Sequence, residues 1–278
     1  MKEEALSLAK ELALPTDILP RLAAAPALPP ELLSRLAAPE TASAAWTEAS
    51  AILPPWETDG GFAQLAAVLD AACLTREAYR RARIPDAVFL DTFACLPRFL
   101  EETKTLLGRY AFDRGFWTWR QTGCLLFRLG ALEFEYAPAG RPLPGLDPDT
   151  PVLFVHIPSD ASLARDALDS SYARARALFA GEAAAFCHPG PPQAILCASW
   201  LLAPALDQLL PETSGIRRFA GDYERLLVRE DNTEFYRWLF QRTGPVPPAD
   251  LPAATSLQRA VRDHLASGGK IGMAWGRL

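Results

Sequence analysis

The sequence predicts a fold of the α+β or α/β class, in which a helical domain precedes a domain built on a mixed β-sheet. Ala and Leu dominate residues 1–120 while Val and Ile are rare there, a composition typical of helices. After residue 122, alternating and β-branched apolar runs begin, and strand patterns then alternate with helix patterns. We therefore predict a helical domain at 1–122 and a mixed α/β domain at 123–278. A length of 278 residues agrees with two domains at roughly 150 residues each.

Prolines divide the first predicted domain into short helices, because proline lacks a backbone donor and ends or kinks a helix. Helical pieces are predicted at 3–13, 42–53 and 62–82, where apolar residues recur at helical spacing. Another helix is predicted at 86–107, with a kink or break at Pro97.

An aromatic-rich segment, 108–123, predicts a hinge or a short helix between the two domains. It contains Trp117, Trp119, Arg120 and Gln121. Two tryptophans beside an arginine could stack on a planar ligand. The alternative is a core between the domains, in which the arginine is buried and paired with an acid.

Alternation of apolar residues over 124–137, interrupted at Gly130, predicts a β-hairpin. Its outward positions include Arg128, Glu133 and Glu135. The two glutamates lie two residues apart and therefore share one face of the strand. In a cleft, each would raise the pKa of the other and one could act as a base; in solvent, they would be edge-strand charges.

The remaining chain alternates strand and helix patterns around a sheet of about six strands. Strands are predicted at 151–157, 193–201, 215–229 and 270–276, helices at 162–180, 203–210, 232–242 and 257–266, and a loop at 188–192. Thr255 and Ser256 are expected to cap the last helix.

Charge and hydropathy exclude several classes of protein. Lys and Arg number 28 against 33 Asp and Glu, a formal net charge of -5, and no basic stripe exists, so nucleic acid is not expected as a partner. The chain has no run of about 18 apolar residues, so we expect no membrane partner. The acidic start at residues 1–4 lacks the pattern of a signal peptide, which predicts a cytoplasmic protein.

Five scattered cysteines, without any C-x-x-C pair, predict reduced, buried thiols rather than disulfides or a metal site. Cys197 and Ser199 share one face of a predicted strand, with Trp200 on the other. A nucleophilic cysteine would need a nearby base, for which His156 and His188 are the only plausible residues. No spacing supports such a pair, so a buried thiol is expected.

The strand–loop–helix pattern at 152–163 is the first candidate for a ligand site. Amides at the start of the following helix could bind a phosphate or pyrophosphate, although ordinary capping by Asp160 or Ser162 is the alternative. His156, at the end of the strand, is a candidate general base, or else a buried histidine bonded to a neighbouring element. The standard phosphate-loop, dinucleotide, nucleophile-elbow and zinc-protease motifs are absent.

Several segments resemble one family, the bacterial acyltransferase-domain proteins. That family has a helical N-terminal domain followed by a domain similar to the GNAT acetyltransferases. The resemblance covers about residues 60–278 and rests on the combination W-T-W-R-Q, L-F-R-L-G-x-L-E-F-E, H-I-P and S-W-L-L. The segments that together carry the resemblance are 84–102, 116–135, 152–163, 197–211 and 255–276.

The resemblance implies transfer of an acyl group from acetyl-CoA or another acyl-CoA to the amine of a small molecule or peptide. His156 or Glu133 would take the amine proton, directly or through water. The loop after the central strand would hold the acyl-CoA pyrophosphate, with Ile157, Ser159, Asp160, Ala161, Ser162 and Leu163 as its residues. The acceptor cleft would be lined by Trp119, Arg120, Arg128, Glu135 and Trp200.

A non-catalytic ligand-binding or interaction module on the same fold is the alternative function. The loop 157–162 has no glycine, where typical acetyltransferases carry the pattern [QR]-x-x-G-x-[GA], and Ala198 stands where relatives often have a polar residue. The alternative predicts a cleft filled by side chains and a function that survives His156→Ala and Glu133→Gln.

Overall fold

The computed structural model describes residues 2–181 and 190–278. Cys187, His188 and the beginning of the predicted loop at 188–192 therefore lie outside the described residues. The helical part of the chain contains nine α-helices within residues 2–122, all of them described. They are α1 Lys2–Glu11, α2 Leu19–Ala24, α3 Pro30–Leu36, α4 Ala42–Ile52, α5 Trp56–Asp59, α6 Phe62–Arg81, α7 Asp86–Phe93, α8 Cys95–Leu107 and α9 Gly115–Thr122.

The helix predicted at 86–107 is two helices, α7 and α8, separated at Ala94. Pro97 therefore lies in the first turn of α8, where a missing backbone N–H breaks no intrahelical hydrogen bond. The break that proline requires is confirmed, but it falls three residues before the proline itself.

The predicted hairpin is confirmed as β1 Leu126–Leu129 and β2 Leu132–Pro138, paired antiparallel with Phe127 opposite Phe134. The further strands are β3 Pro151–His156, β4 Ile195–Ser199, β5 Glu224–Arg229 and β6 Met273–Arg277. The six strands form one sheet in the order β1-β2-β3-β4-β6-β5. Parallel pairing of β3 with β4 and antiparallel pairing of β4 with β6 make the sheet mixed, as predicted.

In the described residues after β3 there are five further helices, and one of them corrects a predicted strand. They are α10 Arg165–Ala180, α11 Ala205–Leu209, α12 Gly215–Gly221, α13 Phe235–Phe240 and α14 Ser256–Ala266. The strand predicted at 215–229 is wrong in its first half, because Ile216, Phe219 and Ala220 follow helical spacing and form α12. The predicted cap of the last helix is confirmed, since the Thr255 hydroxyl accepts the Gln258 N–H.

By their contacts, the residues fall into two compact units. One comprises Met1–Glu135 and Ser170–Pro191, and the other comprises Tyr136–Asp169 and Pro192–Leu278. In the first unit, the ring of Tyr79 from α6 stacks on Phe127 of β1 at 5.4 Å and meets the edge of Phe89 at 5.7 Å. The hairpin strand β1 is thus packed with the helices through large buried aromatic rings.

In the second unit, the buried core of the sheet is formed by one face of its strands and the segment 139–150. Val152 of β3 and Leu196 of β4 are fully buried. They pack with Leu143 and Leu146, whose backbone groups pair with each other across a tight turn. This segment therefore acts as a cover for part of the sheet.

The turn of the hairpin depends on Gly130, which gives a test of the packing around it. Gly130 has φ +80°, and a Cβ there would lie 2.8 Å from the hydroxyl oxygen of Ser171. The same hydroxyl oxygen accepts the Ala131 N–H. Gly108 has φ +71° and no atom within 4 Å of an added Cβ. Both glycine-to-alanine variants should lose about 1–2 kcal/mol through left-handed backbone strain.

Gly130→Ala should lose about 0.5–1.5 kcal/mol more than Gly108→Ala, because the hydrogen bond from Ala131 to Ser171 must move. Urea denaturation of both variants measures the difference. Equal losses would show that Ser171 does not hold this turn.

Candidate functional site

The predicted strand–loop–helix forms the centre of the candidate site. β3 is buried over Val152, Leu153 and Val155, and it ends at the half-buried His156. Residues 157–164 then form an irregular loop before α10 begins at Arg165. The exposed residues of the loop include Ser159, Asp160 and Ser162, while Ile157, Ala161 and Leu163 are half-buried. The loop thus follows a central strand directly and leads into a helix of 16 residues.

The parallel pairing of β3 with β4 is short. It joins Leu153 to Ile195, Phe154 to Leu196 and Val155 to Cys197, and it ends there. β4 continues to Ser199 through its pairing with β6, in which Ala198 lies opposite Trp275. The register between β3 and β4 therefore ends one residue before His156, while β4 continues beside β6.

The conformation of the loop does not require glycine. Within residues 157–164, all of which are described, no residue has a positive φ. The Ala161 N–H donates to the Pro158 carbonyl at 2.9 Å, and the Ala164 N–H donates to the Ser162 hydroxyl at 3.3 Å. Ser162 thus satisfies the N–H of the residue that precedes α10, through a local turn between residues 162 and 164. The absence of glycine therefore causes no backbone strain in this loop.

The two glutamates of β2 lie in neither of the predicted environments, because helices cover that face of the hairpin and supply arginines. Glu133 is 3% exposed, and its Oε1 accepts a hydrogen bond from Arg98 Nη2 of α8 at 2.7 Å. Glu135 is 8% exposed, and its Oε1 accepts one from Arg120 Nε of α9 at 2.8 Å. Each carboxylate thus forms a charge-assisted pair with an arginine of its own.

Arg120 also lies against both tryptophans of its helix. Its guanidinium carbon is 4.3 Å from the Trp117 ring centroid and 4.4 Å from that of Trp119. The arrangement agrees with the alternative in which the arginine is paired with an acid. Arg128 has a different role, because its Nε donates to the Gly130 carbonyl at 2.7 Å and thereby holds the turn of the hairpin.

Two arginines of this region were not predicted from the sequence, the half-buried Arg98 and the buried Arg114. Arg114 is 8% exposed, and its Nη2 lies 3.3 Å from Glu102 Oε2 on α8. It also pairs with the carboxylate of Asp113. The spacing of Arg98 and Glu102, four residues apart on an amphipathic helix, was a signal for an ion pair, and their side chains lie 3.8 Å apart. That spacing could not identify Glu133 as a partner from another element.

The environment of Cys197 agrees with a buried thiol. Burial raises the pKa of Cys197 far above its ordinary range, so the nucleophilic thiolate is not formed at neutral pH. The neighbouring Ser199 hydroxyl accepts the Leu201 N–H at 3.1 Å, at the start of a single 3-10 turn. Trp200 begins that turn and is 9% exposed. His188, the other base considered for this thiol, lies outside the described residues.

Across residues 2–181 and 190–278, no group of three or more His, Cys, Asp or Glu side chains is placed to hold a metal ion. In the same residues, no helix combines the length and the apolar character that crossing a membrane requires.

Comparison with known families accounts for nearly the whole chain. Residues 126–278 match the GNAT-like C-terminal domain, and residues 3–124 match the N-acyltransferase N-terminal domain. The chain therefore belongs to the family of two-domain N-acyltransferases with a GNAT-like C-terminal domain. The family resemblance noted from the sequence motifs is confirmed. No curated protein sequence matches the chain.

Solved structures of acyltransferases share the fold. An acyltransferase in complex with decanoyl-CoA and teicoplanin superimposes with a TM-score of 0.77 at 24% identity, over 99% of this chain and 87% of that one. An acyltransferase in complex with CoA and 10C-teicoplanin gives the same values. A third, in complex with decanoyl-CoA, has a TM-score of 0.71 at 23% identity and covers 99% of both chains. The predicted class, helices followed by a mixed GNAT-like sheet, is confirmed.

The pair of Arg98 with Glu133 predicts a loss of stability when its acid is neutralised. Glu133→Gln leaves a guanidinium that is 12% exposed beside a weaker acceptor, and we expect a loss of about 1–3 kcal/mol in the free energy of unfolding. The double variant with Arg98→Met should recover part of the loss, because the uncompensated charge is then removed.

The exposed pair Arg35–Glu48, at 2.6 Å, provides the matched control. Glu48→Gln should change the free energy of unfolding by less than about 1 kcal/mol, because solvent screens an exposed pair. Chemical denaturation of all the variants gives the comparison. Equal losses in Glu133→Gln and Glu48→Gln would contradict a buried, stabilising role for Glu133.

Proposed function

We propose that this chain transfers an acyl group from acyl-CoA to the amine of a small-molecule or peptide acceptor. The observation that carries the proposal is the end of the β3–β4 pairing at Val155 and Cys197, next to the loop 157–164 and the start of α10. The pantetheine arm is proposed to lie where the pairing of the two strands ends. Membership of the N-acyltransferase family supports the proposal, as do the acyl-CoA ligands of the similar structures.

The pyrophosphate of acyl-CoA is proposed to bind at the loop. The residues concerned are Ile157, Ser159, Asp160, Ala161, Ser162 and Leu163. The positive end of the α10 dipole and the backbone N–H groups of the first turn favour an anion there. Because Ser159, Asp160 and Ser162 are exposed, the phosphates can reach the loop from solvent.

The transfer step requires a neutral amine. Its nitrogen attacks the thioester carbonyl carbon, a new C–N bond forms, and the C–S bond breaks. The amine proton passes to a base and the CoA sulfur leaves as a thiolate, which then takes a proton. His156 is the preferred base, because it lies where the pairing of β3 ends and is half-buried. Glu133 would first have to release its hydrogen bond from Arg98.

The acceptor is proposed to contact the remaining predicted residues. Half-buried Trp119 and Arg120 carry an aromatic and a cationic surface, and Phe116 on the same helix is 58% exposed. Arg128 and Glu135, which belong to the same unit, complete this part of the proposed set, and the role of Trp200 stays a prediction from the sequence. The similar structures hold teicoplanin, a glycopeptide, so an amine on a peptide is a suitable first acceptor to test.

Binding of CoA tests the proposed donor site. Isothermal titration calorimetry with acetyl-CoA and decanoyl-CoA should detect a complex of the wild-type chain. Ser159→Glu adds a negative charge to the loop and should raise the Kd at least tenfold through repulsion of the phosphates. Ser170→Glu makes the same change at an exposed position within α10 and should leave the Kd within twofold. The absence of any binding at millimolar ligand would refute the proposed function.

Kinetics distinguish the two candidate bases. With decanoyl-CoA as donor and a glycopeptide amine as acceptor, His156→Ala should lower kcat about 10²–10⁴-fold and leave the Kd for CoA unchanged. Glu133→Gln, measured on the folded fraction, should keep a rate within a few-fold of the wild type. The reverse pattern would assign the base to Glu133, and an unchanged rate in both variants would point to the non-catalytic alternative.

A further inference from the structure

One carboxyl group of the first unit is buried beside the first helix without a hydrogen-bond partner. Asp70 of α6 is 5% exposed, and its Oδ1 has no hydrogen-bond partner among the described residues. Asp70 also lines a small cavity of about 10 Å³. The other walls of this cavity are mainly apolar and include Ala5, Leu6, Leu22, Pro26, Ala66 and Leu69. Such a volume is at the lower limit for a single water molecule, so it cannot hold a hydration shell around an ionised carboxylate.

The charged groups near Asp70 compensate an ionised carboxylate only in part. Burial raises the pKa of Asp70 above its ordinary value of 3.8; Lys2 and the amino terminus act in the opposite direction, and Glu4 adds to the increase. Lys2 also lines the cavity, but its Nζ donates to the Ala23 carbonyl at 3.1 Å. On α6, Cys73 lies one turn from Asp70, and burial raises the pKa of that thiol to about 11, so it is neutral. Among the described residues, α2 and the segment after it add no titratable side chain to the walls.

The helix α1 supplies one side of this cavity and is attached to α6 at both ends. It packs against α6, and its buried residues are Ala5, Leu8 and Ala9. At its far end, Glu11 Oε2 accepts a hydrogen bond from Arg76 Nη1 of α6 at 2.6 Å. That hydrogen bond lowers the pKa of Glu11 below its ordinary value of 4.5, so the ion pair is lost only in more acidic solution. Above about pH 5, the attachment at Glu11 is therefore constant.

From this arrangement we propose that the attachment of α1 to α6 is pH-sensitive: it is firmest when Asp70 is protonated, and α1 opens locally more often as the pH rises. The protonated carboxyl is neutral, whereas an ionised one beside an apolar cavity is unfavourable. Opening of α1 gives Asp70 access to water and restores its ordinary pKa. The contribution of Asp70 to the attachment is therefore complete below about pH 3.8 and is lost as the pH rises through the raised pKa. This response belongs to the first unit and is independent of acyl transfer.

Hydrogen–deuterium exchange of the full chain tests the inference, with mass spectrometry of peptides from α1 and α8. After correction for the intrinsic exchange rate at each pH, the opening equilibrium constant of α1 should rise at least about threefold between about pH 4.5 and about pH 7. The rise should be about tenfold per pH unit until the raised pKa of Asp70 is reached, and the constant should then level off. Residues 1–135 contain no histidine, so no imidazole among them titrates in this range. Exchange in α8 should show no comparable change.

Three variants assign the response. Asp70→Asn removes the charge with little change of volume and should make the exchange of α1 independent of pH in this range. Asp70→Ala is a second variant without the carboxyl and should also remove the pH dependence. Glu3→Gln makes the same change of charge at an exposed position of α1 and should keep the wild-type pH dependence.

Three outcomes would overturn the inference. The first is an exchange of α1 in the wild type that stays constant from about pH 4.5 to about pH 7. The second is a pH dependence that persists in both Asp70→Asn and Asp70→Ala, because it would then belong to another group. The third is an equal change in α1 and α8, which would show a global loss of stability instead of a local opening.

Discussion

The short parallel ladder between β3 and β4 is the constraint on which the proposed chemistry depends. A parallel pair needs a crossover connection, and here α10 lies in the chain between the two strands. The ladder must be long enough to hold β3 in the middle of the sheet. Three residue pairs do so, and Val152, Leu153 and Val155 are buried. It must also end early enough for the proposed donor to approach the sheet beside the loop. Ending at Val155 satisfies both requirements, because β4 retains its pairing with β6 up to Ser199.

The hairpin buries two like charges, Glu133 and Glu135, on one face of a strand. Isolated carboxylates inside a protein are strongly unfavourable, and a matching cation reduces that penalty. Arg98 and Arg120 reach Glu133 and Glu135 from two successive helices, so the hairpin is attached to each helix by an ion pair. Such pairs also specify position, since a shift of the hairpin by one residue would leave two arginines beside apolar side chains.

Sequence reasoning was successful where a pattern is local. Alternation around Gly130 identified the hairpin, the β-branched run identified β3, and Thr255 identified the start of α14. It failed at 215–229, where a short helix and a strand follow each other with only two residues between them and the apolar residues fit either period. It also failed for Arg98, because the sequence separation of 35 residues between Arg98 and Glu133 carries no local signal. Partners across elements are decided by tertiary packing, which a single sequence does not encode as a pattern.

Because the chain has few histidines, few residues compete with His156 for the proposed role of general base. The chain has three histidines, and His188 lies outside the described residues. The Nε2 of His264 lies 3.1 Å from the Lys270 carbonyl, and its ring fills the space beside Gly269, so that side chain has a structural role in the turn before β6. His156 instead ends a buried strand at the point where the ladder ends. A base placed between the end of that ladder and the proposed phosphate-binding loop would lie beside the thioester carbon. The reacting carbonyl and the pyrophosphate would then lie at the end of β3 and in the loop 157–164, both of which belong to the second unit.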